Sequence, residues 1–565
     1  MNKLGKRLAF YLGGAWVVIE AFSFLVQQYD LDPALIDILI LLVLFGFPAT
    51  LIYSSFKGKT NWKAISLQII NVFLAISLIF YYVINPNSLK PEKLRFLKIS
   101  KTKNTELNKL DAVAVLPFLN NLGSEQKNLV AGMHDGLITE IGKLGSMKVI
   151  SRTSVMSYEN SDKNITQIAQ DLNVDAIIET SLTRIDTVVS LNIKLINIFP
   201  EESVLWSHSY EGHFGKIPNL FREVTKNVAI KLNKVISPEQ EKRLSSNRTF
   251  DPSAYEAYLR GTFYTGLLTP KNFSKAEFYF SKALQLDSTI IEAYCGLASM
   301  WASKRQMGYV RPHLASDKID SLITLAEQIS TKNASLFSIK AVEKTWGTFE
   351  WEKAERNWIN SLELNPNSAI TRISYAHFLM IMNRWDEAWQ QAKYAEALDP
   401  ESPWVISFIG IMYTFNGKVL TGSKYINKLE RIAPNHPLLV EVNLEKAVAF
   451  NKHDQAIEFL KELLKRTQID RIEEFINDTY KKNDFNTTLS ITAKFLEEKR
   501  KTQYVLPRLI HQIYMITENV EKQMETLLLV YEENDPSLPY FAVKGMWPNQ
   551  DHPTYKTVMK EAGLW

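Results

Sequence analysis

The sequence predicts a multi-domain chain with N-terminal transmembrane helices, a small α/β domain in which helices pack on a mixed sheet, and an all-α C-terminal solenoid of helix pairs. Three observations predict this fold class. Apolar stretches are concentrated in residues 1–88, strand and helix patterns alternate over 110–235, and helical patterns recur with a 34-residue period within 253–565. Residues 89–109 and 236–252 are polar and are predicted to be linkers. At 565 residues the chain has room for all three parts.

Three apolar stretches near the amino terminus are each long enough to cross a bilayer. They cover residues 8–26, 34–56 and 65–84, and a span needs about 20 mainly apolar residues. The first stretch contains Glu20, whose carboxylate is expected to pack against neighbouring helices rather than to serve transport. We therefore predict a multi-pass anchor, with the lipid bilayer as one partner of the chain.

The charges that flank these stretches bear on which side of the membrane holds the rest of the chain. Basic residues favour the cytoplasmic side, and they precede the first stretch and follow the second, at Lys3, Lys6, Arg7, Lys57, Lys59 and Lys63. Three crossings would then place the soluble part in the periplasm, outside a bacterial inner membrane. Six Lys and Arg residues over 90–103 argue the opposite, and the parity changes if the first stretch does not span. The cytoplasmic side therefore stays open.

Composition narrows the classes of function. Hydrophobic residues make up 46% of the chain and charged residues 22%, which is ordinary for globular domains, and a net charge of +4 does not indicate a nucleic-acid partner. Cys295 is the one cysteine, so no intramolecular disulfide can form, and its apolar helical surroundings predict a buried side chain. No Walker loop, zinc-ligand spacing or GxSxG motif occurs, so we expect no cofactor, no metal and no catalytic residues.

Residues 110–235 show the patterns of a small α/β domain. An apolar run from Ala112 predicts a buried strand, and Leu191, Ile193 and Leu195 alternate with their neighbours as in a sheet with one solvated face. The predicted elements are a strand from 112, a helix over 132–144, a strand over 148–152, a helix over 165–172, strands over 175–185, 188–198 and 203–211, and a helix over 217–232. This order predicts a sheet with helices packed on it.

The most site-like cluster of this domain comprises Gly132, His134, Asp135 and Gly136. A neighbouring His and Asp form neither a metal site nor a nucleophile constellation without a third group. We therefore favour a structural role, in which Asp135 caps a helix turn and the glycines let backbones approach closely.

The C-terminal half repeats every 34 residues. Pro366, Pro400 and Pro434 have this spacing, and a small residue precedes each of them by 12 positions. The small residues are Ala354, Ala388, Gly422 and, one period later, Ala456; Trp351 and Trp385 precede the first two, and an insertion near 306–316 brings Ala276 and Phe273 into the same register. This is the tetratricopeptide period, in which the small residue lies where two helices cross and proline ends the second helix. We predict about 6–8 helix pairs of this kind.

Helix pairs that stack side by side form a superhelix with a concave face. The first helix of each tetratricopeptide pair lines that face. Extending this register gives the predicted protein-binding groove, which comprises Lys340, Glu343, Trp346, Ile373, His377, Trp404, Phe408, Ile411 and Thr414. An apolar peptide or helix would fit such a mixed apolar and polar groove. The alternative is that these aromatic side chains pack inside the protein.

A set of short segments in the α/β region carries a resemblance to a known family. In order they read AVLPFLNN, GMHDGLITEIGKL, VISRTSVMSY, IAQDLNVDAIIETSLTRI and LNIKLINIFPEESVLWSHSYEG. Together they resemble the TolB amino-terminal-like (FlgO-like) domain, which lies between a membrane segment and tetratricopeptide repeats in many bacterial proteins. Some of those proteins also carry adenylate cyclase or winged-helix DNA-binding domains. The resemblance implies no catalytic residues, and we expect neither a cyclase nor a DNA-binding domain in this chain.

The leading functional hypothesis is a non-catalytic, membrane-anchored adaptor that binds a protein or peptide in the repeat groove at the cell envelope. A second hypothesis is a sensory subunit, the input half of a cyclase-like or transcription-regulator-like architecture, which detects a small ligand or a partner. An enzyme is the third, because no site emerges from the sequence. Nucleic acid is not expected as a partner, and a homo-oligomer stays open.

Overall fold

A computed structural model describes residues 111–120, 126–199 and 201–565 of the chain. The three predicted transmembrane stretches and the predicted linker over 89–109 lie outside these residues. Among the helices of the described residues, none combines the length and apolar character that a membrane crossing requires. The described residues belong to one compact unit.

The α/β region contains a mixed sheet of six strands, which confirms the α/β part of the predicted fold class. The strands are β1 (Ala112–Val115), β2 (Leu119–Asn120), β3 (Lys148–Val149), β4 (Ala176–Ile185), β5 (Val188–Asn197) and β6 (Ser203–His213). Their order is β3-β1-β4-β5-β6, with β2 also paired to β4. β1 runs parallel to β3 and β4, whereas β4, β5 and β6 form an antiparallel meander.

Register explains why this sheet has one buried face over most of the meander. Leu191 pairs with Leu182, and both are buried, whereas Lys194 pairs with Glu179 on the opposite, wetter face. In these pairs, buried side chains of β5 lie opposite buried side chains of β4, and solvated side chains lie opposite solvated ones. Five helices cover or flank the sheet: α1 (Lys127–Gly142), α2 (Arg152–Met156), α3 (Ile165–Leu172), α4 (Ile217–Lys231) and α5 (Pro238–Leu244).

Two of the differences from the sequence prediction have a clear local cause. The predicted strand over 148–152 stops at Val149, and Arg152 begins α2. The backbone N–H of Ser151 donates to the carbonyl of Leu398, 2.9 Å away in the helical region, so a distant segment turns the chain out of the sheet. The predicted linker over 236–252 contains α5, because Ser237 forms a capping box with Gln240 and Pro238 occupies the first turn.

The C-terminal region consists of eight consecutive helix pairs, which we call the repeat array. They are α6 (Pro252–Thr265) with α7 (Pro270–Leu286), α8 (Ile291–Gln306) with α9 (Pro312–Ile329), α10 (Ala334–Trp346) with α11 (Trp351–Leu364), α12 (Ala369–Ile381) with α13 (Trp385–Leu398), α14 (Pro403–Phe415) with α15 (Val419–Ile432), α16 (Pro437–Ala449) with α17 (His453–Leu464), α18 (Ile472–Tyr480) with α19 (Phe485–Arg500), and α20 (Pro507–Ile516) with α21 (Val520–Glu532). Two short helices follow, α22 (Leu538–Phe541) and α23 (Pro553–Glu561). The predicted all-helical tetratricopeptide solenoid is confirmed.

The small residues of the 34-residue period lie where the two helices of a pair touch. Ala354, Ala388 and Ala456 are fully buried. At Gly422 a Cβ atom would stand 2.5 Å from the Thr414 hydroxyl and 2.9 Å from the Gly410 carbonyl oxygen. Since real Cβ contacts are longer than this, α14 and α15 can approach this closely only with glycine at the crossing.

Replacing Gly422 by Val is therefore expected to lower the free energy of unfolding by about 1–3 kcal/mol, the usual effect of an overpacked contact. Urea denaturation of the full chain would measure the change. Lys424→Ala, two positions along α15 and exposed, is the matched control and should change little. Equal stability of the Gly422→Val variant and the control would contradict a tight helix crossing at this position.

The repeat array curls until its second pair meets its last pairs. The guanidinium of Arg311 lies 5.4 Å from the centre of the Tyr504 ring, and Arg508 Nη2 donates to the Gln306 carbonyl at 3.3 Å. A Cβ at Gly308 would stand 2.8 Å from the Leu506 side chain. The connection between α8 and α9 thus packs against the segment that joins α19 to α20, and the superhelix closes on itself.

The α/β domain is fixed to the repeat array by packing as well as by hydrogen bonds. One hydrophobic cluster extends from Val113 in β1 to Met300 in α8. Helix α1 contacts α6 so closely that a Cβ at Gly132 would stand 2.8 Å from the Leu259 Cβ and 3.1 Å from its carbonyl oxygen. The close backbone approach proposed for this glycine is confirmed. The sheet and the first repeats therefore share a core.

Candidate protein-binding site

The nine predicted groove residues lie on the first helices of three consecutive pairs. Lys340, Glu343 and Trp346 are on α10, Ile373 and His377 on α12, and Trp404, Phe408, Ile411 and Thr414 on α14. The structure brings some of them together. The His377 and Phe408 rings stack with centroids 4.0 Å apart, and the Trp404 ring meets Phe408 edge-on at 5.3 Å. This aromatic group joins α12 to α14 on one side of the array.

Accessibility differs sharply within the predicted set. Glu343, Trp346, Ile373 and His377 are buried, whereas the other five residues are half-buried. Lys340 Nζ lies 2.6 Å from the Glu327 carboxylate, and the Thr414 hydroxyl donates to the Gly410 carbonyl at 3.0 Å. The surface that a partner could reach in this conformation is therefore limited mainly to parts of Trp404, Phe408 and Ile411.

Glu343 takes part in a buried ion pair. Its Oε2 atom lies 2.7 Å from Arg305 Nη1, and both side chains are at most 1% exposed. Arg305 also donates to the Ser316 hydroxyl at 2.8 Å, so one guanidinium links α8, α9 and α10. A Cβ at Gly347 would overlap both charged groups. The pair leaves Glu343 with a structural partner where the sequence predicted a groove residue.

His377 is held in one neutral tautomer by two neighbours. Its Nε2 atom lies 3.0 Å from the Phe408 carbonyl oxygen, which can only accept, so Nε2 carries the proton. Nδ1 then accepts a hydrogen bond from the Tyr540 hydroxyl at 3.1 Å. Burial lowers the pKa of His377 to about 4, so the ring is uncharged at neutral pH. His377 thus offers a single acceptor atom to whatever packs on the face formed by α10, α12 and α14, which we call the inner face.

The partner of His377 belongs to a segment that sequence reasoning did not place. Residues Glu533–His552, which we call the C-terminal loop, join α21 to α23 and include α22. Tyr540, Val543 and Met546 of this loop share a hydrophobic cluster with α10, α12 and α14. The signal available in the sequence was a proline-rich interval with aromatic residues at 540, 541 and 547 that falls outside the 34-residue period.

The inter-repeat turns after α11 and α13 hold the α/β domain. The Asn367 amide donates to the carbonyls of Gly142 and Met147, both at 2.9 Å, and its oxygen accepts from the Val149 N–H at 3.2 Å. One turn further along the array, the Ser154 hydroxyl donates to Asp399 Oδ1 at 2.6 Å. Sequence reasoning used the prolines of these turns as helix ends and missed the polar residues beside them.

The site-like cluster of the α/β domain has a structural role. His134 is buried in the middle of α1, its Nε2 lies 2.9 Å from the Val115 carbonyl, and burial lowers its pKa to about 4. The proposal that Asp135 caps a helix turn is wrong, because Asp135 follows His134 inside α1 rather than at its start. Burial raises the pKa of Asp135, and the nearby Arg152 opposes this rise. Over the described part of the chain, no group of three or more His, Cys, Asp or Glu side chains could hold a metal ion.

Comparison with known proteins gives limited similarities. No family model matches the chain. A protein of Rhizobium meliloti described as putative adenylate cyclase 3 is 24% identical over 188 residues, which are 33% of this chain and 32% of that protein. The chain thus matches about a third of the length of this curated relative.

Solved structures of repeat proteins also resemble the chain. YrrB, described as a tetratricopeptide protein with an unusual peptide-binding site, is 19% identical, covers 34% of this chain and 91% of its own, and has a TM-score of 0.22. Pseudomonas aeruginosa pilF is 15% identical over 38% of this chain and 91% of its own, with a TM-score of 0.27. The human IFIT1 dimer with m7Gppp-AAAA is 14% identical over 61% of this chain and 74% of its own, with a TM-score of 0.34. These scores are low, so the repeat assignment rests on the helix geometry described above.

Proposed function

We propose that this chain is a membrane-anchored scaffold that binds another protein through its helical repeats and catalyses no reaction. The observation that carries the proposal is the array of eight stacked helix pairs fixed to the α/β domain. Stacked helix pairs offer extended surfaces to peptides and helices. Asn367 and Asp399 hold the α/β domain on this array, so the two parts would present one surface to a partner.

The membrane part of the proposal rests on the sequence. Residues 8–26, 34–56 and 65–84 have the length and apolar character of spans. The segments that resemble the TolB amino-terminal-like domain follow them, as in bacterial envelope proteins. The basic residues before the first stretch and after the second favour a periplasmic location for the α/β domain and the array, at a bacterial inner membrane, whereas those over 90–103 favour the cytoplasmic side.

A reporter fusion tests the location. Alkaline phosphatase fused after Trp565 of the full chain is active only if it reaches the periplasm. Green fluorescent protein fused at the same point fluoresces only if it stays in the cytoplasm, because it does not become fluorescent after export in unfolded form. We expect phosphatase activity and no fluorescence. The reverse pattern would place the repeats on the cytoplasmic side.

A second candidate function is a sensory or regulatory subunit of a signalling system. The specific observation in its favour is the similarity over 188 residues to the putative adenylate cyclase of Rhizobium meliloti. In that case the chain would detect a ligand or partner and pass the signal to a separate protein that carries an output domain.

Affinity purification from a detergent extract separates the two functions. The full chain, tagged at the amino terminus, should retain envelope proteins if it is a scaffold, and a signalling protein with an output domain if it is a sensory subunit. Trp404→Ala removes a half-buried aromatic residue of the predicted groove and should reduce retention. Ile359→Ala, an exposed position on the second helix α11, is the control. A cyclase or hydrolase activity of the purified chain would contradict both functions.

A further inference from the structure

We infer that the inner face formed by α10, α12 and α14 is a peptide-binding site that the C-terminal loop of the same chain already occupies, and that an outside partner binds there by displacing this loop. The inference deepens the proposed function, because it rests on the repeats being a binding surface. It also names the chemistry of the partner: a turn-forming peptide with a tyrosine that reaches His377 and an aromatic residue that packs on Phe415.

The C-terminal loop follows the last helix pair and is longer than any connection between successive helices of the repeat array. Those connections range from three residues, as between α12 and α13, to seven residues between α17 and α18. The C-terminal loop places 20 residues between α21 and α23. A short turn would suffice to connect two packed helices, so the additional residues serve another contact.

That contact is made by side chains on the inner face of the array. The Tyr540 hydroxyl donates to His377 Nδ1, and the Tyr540 ring meets Phe415 edge-on with centroids 6.3 Å apart. Trp547 packs edge-on against the same Phe415 at 5.7 Å. Val543 is buried in the hydrophobic cluster that includes Ile373. The loop therefore presents a tyrosine, a small apolar residue and a tryptophan to three consecutive first helices.

The backbone of the loop is tied to its own end of the chain rather than to the repeats it contacts. The Trp547 indole donates to the Tyr540 carbonyl at 2.8 Å, and the Gln550 amide donates to the Val543 carbonyl at 2.9 Å. The Tyr555 hydroxyl in α23 donates to the Phe541 carbonyl at 2.9 Å. Because these bonds stay within residues 540–555, the loop can leave the inner face without stranding its backbone polar groups.

The inner face would then expose a defined recognition surface. His377 has one acceptor nitrogen, fixed by the bond from its other nitrogen to the Phe408 carbonyl. The Phe408 ring stacks on His377, Phe415 lies where the Tyr540 ring packs, and the Glu343 charge on α10 is neutralised by Arg305. A phenol hydroxyl that donates to His377 fits this surface, because Nδ1 of His377 is an acceptor. The C-terminal loop is thus an internal copy of the ligand that the face selects.

Hydrogen exchange on the unmodified full chain in detergent tests whether the loop is displaceable. We expect amides of residues 538–550 to exchange through a local opening that low urea concentrations do not accelerate, while amides of α12 and α14 exchange at least tenfold more slowly. If the loop amides exchange only together with α12 and α14, with the same dependence on urea, the loop is part of the core and the inference is wrong.

A peptide added in trans tests the recognition itself. A fluorescent peptide of residues 535–550 should bind the Tyr540→Ala/Trp547→Ala chain at least tenfold more tightly than the wild-type chain or the Lys544→Ala chain, whose altered residue lies exposed on the same loop. The same peptide with Phe at position 540 should bind several-fold more weakly than the tyrosine peptide. Equal binding to all three chains would overturn the inference.

These results are distinguishable from a failure of the proposed function. A scaffold that binds its partner on an outer surface would still retain that partner during affinity purification, with equal recovery from the wild-type and Tyr540→Ala/Trp547→Ala chains. If the inner face is the partner site, the variant should retain several-fold more partner than the wild type.

Discussion

Replacing Glu343 by Leu while Arg305 is kept is expected to lower the free energy of unfolding by about 3–5 kcal/mol, the range measured when one partner of a buried ion pair is removed. The guanidinium of Arg305 is 1% exposed, so water cannot solvate the charge that the substitution leaves unpaired. Leucine fills much of the space of the glutamate, so the loss reflects charge rather than a cavity. Urea denaturation of the full chain would give the free energy of unfolding.

The double variant Arg305→Met/Glu343→Leu separates the two contributions. Because it removes both charges, it should recover most of the stability that the single variant loses. Glu327→Gln alters the half-exposed pair with Lys340 and should change the stability by about 1 kcal/mol or less. A single Glu343→Leu variant as stable as Glu327→Gln would contradict the account of the buried pair.

The second large effect is expected at Asn367. Asn367→Ala leaves the Met147 carbonyl and the Val149 N–H without the amide that pairs with them, whereas the Gly142 carbonyl keeps a bond from the Gly145 N–H at 3.2 Å. Each buried backbone group left unpaired costs about 1–3 kcal/mol, so two such groups give an expected loss of about 2–4 kcal/mol after some relaxation. Because these groups belong to the end of α1 and to β3, their amides should also exchange faster, which hydrogen exchange would measure. Unchanged exchange at residues 142–149 would contradict a role of Asn367 in holding the α/β domain.

Asp399 in the next turn should behave differently, and pH reveals the difference. Burial raises the pKa of Asp399 from 3.8 to about 6, although the hydrogen bond from Ser154 opposes this rise. The folded chain therefore holds this proton more tightly than the unfolded chain. The stability that the protonated carboxyl contributes is complete below about pH 4 and is lost as pH rises through about 6.

Asp399→Asn should remove this pH dependence. Its amide oxygen can still accept from Ser154, so the variant should match the wild type near pH 4 and exceed it by about 2–3 kcal/mol at pH 7. Urea denaturation of both chains at several pH values would show the difference growing with pH. A constant difference over pH 4–7 would mean that the Asp399 carboxyl does not titrate in the folded chain.

The fold was largely predictable from the sequence because its strongest signals are local. Prolines such as Pro366 end helices whatever the tertiary surroundings. Ala354 and Gly422 mark crossings between helices that are neighbours in sequence. The alternation along β5 likewise follows from its pairing with the adjacent β4. The start of α2 was not predictable, because the Leu398 carbonyl that accepts from Ser151 lies almost 250 residues away.

The candidate site was predictable only in part, for the same reason. The tetratricopeptide register correctly assigned the nine residues to first helices, since that depends on spacing alone. The register does not state what packs against them. The partner of Glu343 is Arg305 in the preceding pair, which lies before the insertion near 306–316. The partner of His377 is Tyr540, more than 160 residues later. Whether these residues still bind an outside protein stays a prediction.

The closed superhelix restricts how this chain can vary in length. An open array of repeats tolerates the gain or loss of a unit, because each unit touches only its neighbours. Here Arg311 reaches Tyr504 and Arg508 reaches Gln306, so the distance between these points is set by the number of pairs between them. Duplication of one 34-residue unit between the second pair and the last pairs would pull these contacts apart and expose the apolar side chains of the inner face. Natural variants of this protein should therefore conserve repeat number and accept insertions only at outward-facing turns.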